Sequence, residues 1–179
     1  MEKEFDKKII TEKLKKELGI LNINAVPKIK FLSVNIGLGK ALSDKSYIEF
    51  AEDILSKITG QKPQQRATTK SISNFKTRKG MIVGTRVTLR SQRMVDFIQK
   101  LVRLALPRIK DFRGLSLKSF DKVGNYSIGI KDFRIFPEVS SVDFAKTLSL
   151  QVNISTTAKN KKEGEALLRA WNFPLKKNK

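Results

Sequence analysis

Apolar and polar positions along this chain alternate between helical and strand-like spacing, and the changes of spacing mark out its elements. Phe5, Ile9, Ile10, Leu14 and Leu18 fall on one stripe, which predicts a helix over 4–18 with Gly19 as its stop. NINAVP at 22–27 reads as a loop. IKFLSVNIGLG at 29–39 reads as a strand in which Ile29, Phe31 and Ile36 are apolar, Lys30, Ser33 and Asn35 interrupt them, and Gly37 and Gly39 close it. A second helix is expected over 44–59, with Ser43 or Asp44 as its cap, Ile48, Ala51, Ile54, Leu55 and Ile58 on one face, and Gly60 as its stop.

Pro63 and the polar run after it predict a short strand and then an exposed loop. MIVGTRVTLR at 81–90 alternates, with Val83, Val87 and Leu89 on one side and Arg86, Thr88 and Arg90 on the other. Ser91 is placed to cap a third helix whose apolar face is Met94, Val95, Ile98, Leu101, Val102 and Ala105, and Pro107 ends it. Residues 108–125, rich in Gly, Ser, Asp and Lys, predict a long irregular segment, and YSIGIKDFRIF at 126–136 a hairpin or short strands. TLSLQVNIST at 147–156 is the cleanest strand, with Leu148, Leu150, Val152 and Ile154 opposite Ser149, Gln151, Asn153 and Ser155. Asn160 and Glu163 form a variant capping box before a helix carrying Leu167, Leu168 and Trp171, and Pro174 closes the pattern. Mixed strands and helices, each strand with one apolar face, predict a two-layer α/β domain whose helices cover one sheet face and leave the other polar.

Composition narrows what such a domain can do. A chain of 179 residues predicts one domain, at about 100–200 residues each. There is no cysteine and no histidine, which removes disulfides, thiolate and imidazole metal sites, cysteine nucleophiles and histidine bases. No apolar run reaches the ~18–20 residues of a membrane span, and the charged start MEKEFDKKIITEKLKKELG lacks a signal-peptide core, so a cytoplasmic location is expected. The 37 Lys and Arg against 17 Asp and Glu give a net charge of +20. That charge calls for a polyanionic partner. Nucleic acid is the first choice and an anionic membrane surface the second.

The charge is concentrated. Between Asp53 and Asp96 every charged side chain is Lys or Arg: Lys57, Lys62, Arg66, Lys70, Lys76, Arg78, Lys79, Arg86, Arg90 and Arg93. A surface that is merely solvated mixes both signs. Ser33, Asn35, Arg86, Thr88, Arg90, Gln151 and Asn153 are expected on the polar sheet face, where hydroxyl, amide and guanidinium groups suit RNA sugars, phosphates and base edges. That face is expected to lack stacking aromatics, so recognition there should use shape and hydrogen bonds. The loop TTKSISNFKTRKG at 68–80 adds Lys70, Lys76, Arg78 and Lys79, with Phe75 its one aromatic. Gly37 and Gly39 resemble a dinucleotide turn, but its third glycine would fall at Leu42, and there is no phosphate-loop motif. No catalytic constellation assembles, so no catalytic residue, metal ligand or cofactor is assigned. Two other classes stay open on the residues alone. One is an RNA-processing enzyme using carboxylates or lysines; the other is a free-standing nucleic-acid regulator, for which the apolar helix at 92–106 is poorly suited.

Several segments together resemble one family. They are VNIGLGKALSDK at 34–45, ITGQKP at 58–63, GTRVTLR with RM at 84–94, LPRIKDFRGLSLKSFDKVGNYSIGIKDFRIFPE at 106–138, TTAK at 156–159 and E-x-x-A-L-L-x-x-W-x-F-P at 163–174. In order and spacing they are similar to the bacterial large-subunit ribosomal L5 proteins, which bind 5S rRNA. The resemblance implies an α+β fold related to RNA-recognition folds, with helices on one face of a mostly antiparallel sheet. It implies no enzymatic activity, no membrane, and a place in the central protuberance of the large ribosomal subunit. The implied partners are 5S rRNA, 23S rRNA, the P-site tRNA, a small-subunit head protein at an intersubunit bridge, and other large-subunit proteins. It implies 5S rRNA contacts at Asn35, Gln61 and Thr88, with Lys62, Arg86 and Arg90 supplying charge, and tRNA contacts at Lys76, Arg78 and Lys79. Where the family often has Tyr-Pro after Gly80, this chain has Met81 and Ile82. The bridge surface is expected after residue 107 and near 137–146.

Overall fold

The computed structural model describes residues 7–39, 44–139 and 148–176. The chain forms four helices, α1 (Lys7–Leu18), α2 (Lys45–Thr59), α3 (Ser91–Lys100) and α4 (Lys161–Ala170). Its five strands are β1 (Ile29–Gly37), β2 (Gln64–Ala67), β3 (Ile82–Leu89), β4 (Tyr126–Ile130) and β5 (Leu150–Thr156). The strands make one antiparallel sheet in the order β2-β3-β1-β5-β4, and the architecture is a two-layer α+β arrangement. Alternation sets the layers. Leu32, Val34 and Ile36 of β1, Val87 and Leu89 of β3, and Leu150, Val152 and Ile154 of β5 are buried, as their spacing predicts.

The chain packs as two compact units, one of residues 1–32, 90–128 and 153–179, the other of residues 33–89 and 129–152. In the first unit α1 packs on α4. Its buried stripe is narrower than predicted: Ile10 and Leu14 are buried, whereas Ile9 is 46 % exposed. Phe5 and the predicted first turn lie outside the described residues. Gly19 takes φ +65°, the left-handed conformation that ends a helix.

Ser91 does not cap α3. Arg90 holds the cap position without a side-chain bond to the first turn, and Ser91 follows as the first residue of the helix, at φ +52°. Beyond Lys100 the helix widens into a π turn at Leu101–Ala105 and tightens into a 3-10 turn at Leu106–Arg108 containing Pro107. By contrast the Asn160 cap forms as predicted. Asn160 Oδ1 accepts from Glu163 N at 2.9 Å, and the Glu163 carboxylate accepts from Lys159 N at 2.8 Å.

The irregular segment before β4 is held by polar contacts and close approach. Asp121 accepts from Val123 N and Asn125 N at 3.0 and 2.7 Å, and from Asn125 Nδ2 at 2.7 Å. Asn125 Oδ1 in turn accepts from Thr156 N at 2.8 Å, and Thr156 Oγ1 donates to the Gly124 carbonyl at 3.1 Å. Tyr126 Oη donates to the Ser116 carbonyl at 2.8 Å, and its ring packs on Phe120 at 4.5 Å. Burial raises the Tyr126 phenol pKa, with a side-chain bond from Ser119 opposing it. Gly124 faces Gly164 of α4 so closely that a Cβ on Gly164 would lie 2.5 Å from the Gly124 carbonyl oxygen.

In the second unit α2 packs on β3, and its stripe of Ile48, Ala51, Ile54, Leu55 and Ile58 is buried as predicted. Asp44 supplies the cap, accepting from Ser46 N at 2.9 Å, while Ser43 lies outside the described residues. Gly60 ends α2 in the left-handed region at φ +65°. No hairpin forms over 126–136. A single strand, β4, is followed by a 3-10 turn at Phe133–Ile135 that Asp132 caps. Asp132 also pairs with Arg134, Oδ2 to Nη2 at 2.6 Å, and this bond chiefly holds the Asp132 carboxyl below its ordinary pKa. The turn forms because Phe133 is buried edge-on against Phe50, with centroids 6.0 Å apart. Of the segment proposed for the bridge, residues 140–146 lie outside the described residues.

Candidate nucleic-acid interface

The second unit carries a polar sheet face built by strand parity. Gln64 pairs with Arg86 and Arg66 with Gly84 across β2 and β3, so Gln64, Arg66, Arg86 and Thr88 share one side. On β1 the residues between the core positions are Ser33 and Asn35, and on β5 Gln151. Gly84 is required there. A side chain on it would place Cβ 2.7 Å from the Ile36 carbonyl oxygen, so β1 and β3 approach closely only without one.

Hydrogen bonds order this face. Arg86 Nε donates to Ser33 Oγ at 2.7 Å, which explains how a serine 3 % exposed is satisfied. Asn35 Nδ2 donates to Gln151 Oε1 at 3.3 Å. Gln61, in the turn after α2, donates its side-chain amide to the Thr88 carbonyl at 3.4 Å and its backbone N–H to Thr59 Oγ1 at 3.4 Å. The Thr59 hydroxyl donates to the Leu55 carbonyl at 2.6 Å, anchoring this turn to α2. These bonds pair Asn35 with Gln151, Gln61 with Thr88 and Arg86 with Ser33, and exposed Lys62 follows Gln61 in sequence.

Arg90 is placed differently. It belongs to the first unit, and its guanidinium carbon lies 4.8 Å from the centroid of the Phe31 ring. Phe31 has the strand parity of Ser33 and Asn35 and is half-buried, so β1 does carry an aromatic on its polar side, contrary to the sequence expectation. Reading Phe31 with the core residues Ile29 and Ile36 hid it. Gln64 also escaped the sequence reading, because a strand of four residues, all exposed, shows no alternation to follow.

The loop joining β2 to β3 is folded. Thr68 N donates to the Met81 carbonyl at 2.8 Å, and Gly80 N to the Thr68 carbonyl at 3.0 Å. Ile72 and Thr77 exchange backbone bonds at 3.1 and 3.2 Å, and Lys79 N donates to Ser71 Oγ at 3.0 Å. The tip is a 3-10 turn at Ser73–Phe75 followed by Lys76 in the left-handed region at φ +51°. Lys76, Arg78 and Lys79 are all exposed or partly exposed to solvent on this loop. With no carboxylate side chain from residue 54 to 95, the face and the loop present one sign of charge.

Comparison with known families decides what this basic surface belongs to. Residues 22–78 match the family described as Ribosomal protein L5, and residues 82–175 match the model for the C-terminus of that ribosomal family. The chain belongs to the ribosomal protein L5 family. As a member it is a structural component of the large ribosomal subunit, located in the cytoplasm, that binds 5S rRNA and other ribosomal components; it is not an enzyme. The family assignment closes the enzyme and regulator readings left open by the residues. Among the described residues no helix is long and apolar enough to cross a membrane, and no group of acidic side chains is arranged to hold a metal ion.

Proposed function

We propose that the polar face of β2, β3, β1 and β5 is the surface that meets 5S rRNA. Asn35, Gln61 and Thr88 read sugar and base edges, and Lys62 and Arg86 neutralise phosphate there; Arg90, in the first unit, is proposed as a separate phosphate contact. The observation that carries this reading is the position of Arg86, paired in register with Gln64 and bonded to Ser33. A guanidinium held in this way meets a phosphate or a base edge without first having to be ordered. The basic β2–β3 loop faces the P-site tRNA through Lys76, Arg78 and Lys79. In this reading the chain acts as a single functional domain in the central protuberance. There it also meets 23S rRNA, neighbouring large-subunit proteins and, through residues after 107 and near 137–146, a small-subunit head protein.

Filter binding to 5S rRNA over a salt series, with an unrelated RNA as competitor, tests the sheet face. Asn35→Ala and Thr88→Ala should each weaken specific binding by about 1 kcal/mol. Arg86→Ala should also lower the slope of affinity against salt by about one phosphate's worth. Equal binding of both RNAs by wild type and variants would refute the assignment.

A further inference from the structure

We infer that Phe75 is a stacking platform, on which the β2–β3 loop receives an unpaired RNA base while the cations beside it hold the adjoining phosphates. The inference rests on the reading that this loop meets RNA, and adds to it the chemistry by which the loop selects its target.

Three observations carry it. First, the ring is 70 % exposed, and it is the only aromatic among the strongly exposed large apolar side chains of the described residues. A single exposed apolar side chain is ordinary, but here Ile72 of the same loop is also 46 % exposed, so the loop carries two exposed apolar side chains together. Second, the exposure does not come from a slack loop. The Ile72–Thr77 bridge, the Ser71 and Thr68 bonds and the 3-10 turn at 73–75 close the loop beneath the ring. A ring carried on a closed loop loses less freedom when it stacks.

Third, Lys70, Lys76, Arg78 and Lys79 surround the ring in sequence, and all reach solvent. A flat apolar ring among cations with no carboxylate matches the base and phosphate of one nucleotide. An apolar protein surface would match the ring but leave those cations without counter-charge. The sheet does not duplicate this chemistry, since Arg90 lies over Phe31. A paired duplex buries its base faces, so stacking on Phe75 selects unpaired bases in loops or bulges.

The test uses the full chain and two RNAs with equal numbers of phosphates. One is a hairpin whose unpaired loop contains 2-aminopurine; the other is a fully paired duplex. Phe75→Leu keeps an apolar side chain without the aromatic face, and Phe75→Trp keeps the face. Because the position is exposed, both variants should fold, which circular dichroism checks. Phe75→Leu should weaken hairpin binding about 5- to 100-fold, leave duplex binding and the salt slope unchanged, and abolish the change in 2-aminopurine emission. Phe75→Trp should retain all three properties. The paired substitution Lys76→Gln with Arg78→Gln should weaken both RNAs and flatten the salt slope.

If Phe75→Leu binds the hairpin as wild type while the charge variant is weakened, stacking is wrong and the loop's RNA contact stands. If neither variant changes anything, both fall. A third arm uses an acidic peptide with a central phenylalanine. Loss of its binding in Phe75→Leu, with RNA binding intact, would make this a protein contact and overturn the proposal.

Discussion

Gly164 of α4 offers a sharp test of the packing. Replacing glycine by alanine inside a helix ordinarily gains up to about 1 kcal/mol, because alanine has the better helix propensity. Here the new Cβ would lie 2.5 Å from the Gly124 carbonyl oxygen, 2.8 Å from its Cα and 3.0 Å from its carbonyl carbon. All three are backbone atoms, and the loop that carries them cannot retreat freely. Asp121 and Asn125 brace it, and Thr156 bonds both Asn125 and Gly124. Relieving such a clash costs about 1–3 kcal/mol or more, as overpacking does elsewhere. The propensity gain offsets part of that, so Gly164→Ala should lose about 2 kcal/mol net. For a chain of this length the melting temperature should then fall by about 4–8 °C. Urea denaturation of the full chain should show a lower midpoint with an unchanged slope. Gly129→Ala is the control, since nothing lies within 4 Å of its added Cβ, and it should stay within about 0.5 kcal/mol of wild type. If Gly164→Ala is as stable as wild type, the close backbone approach is wrong.

Three further substitutions probe single polar groups. Thr85 is 1 % exposed on the core side of β3, and its hydroxyl has no hydrogen-bond partner among the described residues, so Thr85→Val should raise stability by about 1 kcal/mol in the same denaturation assay. Asn160→Ala removes the cap at Glu163 N and should cost about 1 kcal/mol, with Asn160→Asp retaining most of it. Burial tends to raise the Asp121 pKa, but bonds from the Asn125 side chain and from the Asn125, Val123 and Gly124 backbone outweigh it and hold the carboxyl below its ordinary 3.8. Its contribution is therefore fully present above that value and is lost as pH falls through the lower folded value. Asp121→Asn should flatten the acid limb of the stability profile; an unchanged limb would refute the brace.

Long periodic elements were legible in the sequence because one face of each is buried. The apolar stripe of α2 and the alternation of β5 appear in the structure as read, while in β3 the alternation holds from Arg86 to Leu89, Val83 is only half-buried and Arg90 holds the cap position of α3 instead. The departures arise where local chemistry competes with tertiary packing. Ser91 has a side chain suited to capping, yet the chain enters α3 one residue earlier and leaves it inside the helix. After β4, burial of Phe133 against Phe50 favours a 3-10 turn over a return strand. At the interface, residue types told which side chains could meet RNA but not which of them meet each other. The Arg86–Ser33 and Gln61–Thr88 bonds join positions far apart in sequence, and only strand register brings them together.

The acid-free hairpin of β2 and β3 also bears on the life of the chain before assembly. Arg66 and Arg86 on the strands and Lys70, Lys76, Arg78 and Lys79 on the loop between them are like charges that repel, and in the unbound protein only small counterions offset this. If RNA meets this hairpin as proposed, it supplies a fixed counter-charge there, so the free energy of binding is also free energy of folding. At a free RNA concentration a hundred times the dissociation constant the gain is about 2.7 kcal/mol. Copies that have found their RNA are thus more resistant to unfolding and proteolysis than copies that have not. Under this linkage the cellular lifetime of the protein should follow the supply of its RNA, with unbound copies the first to be degraded.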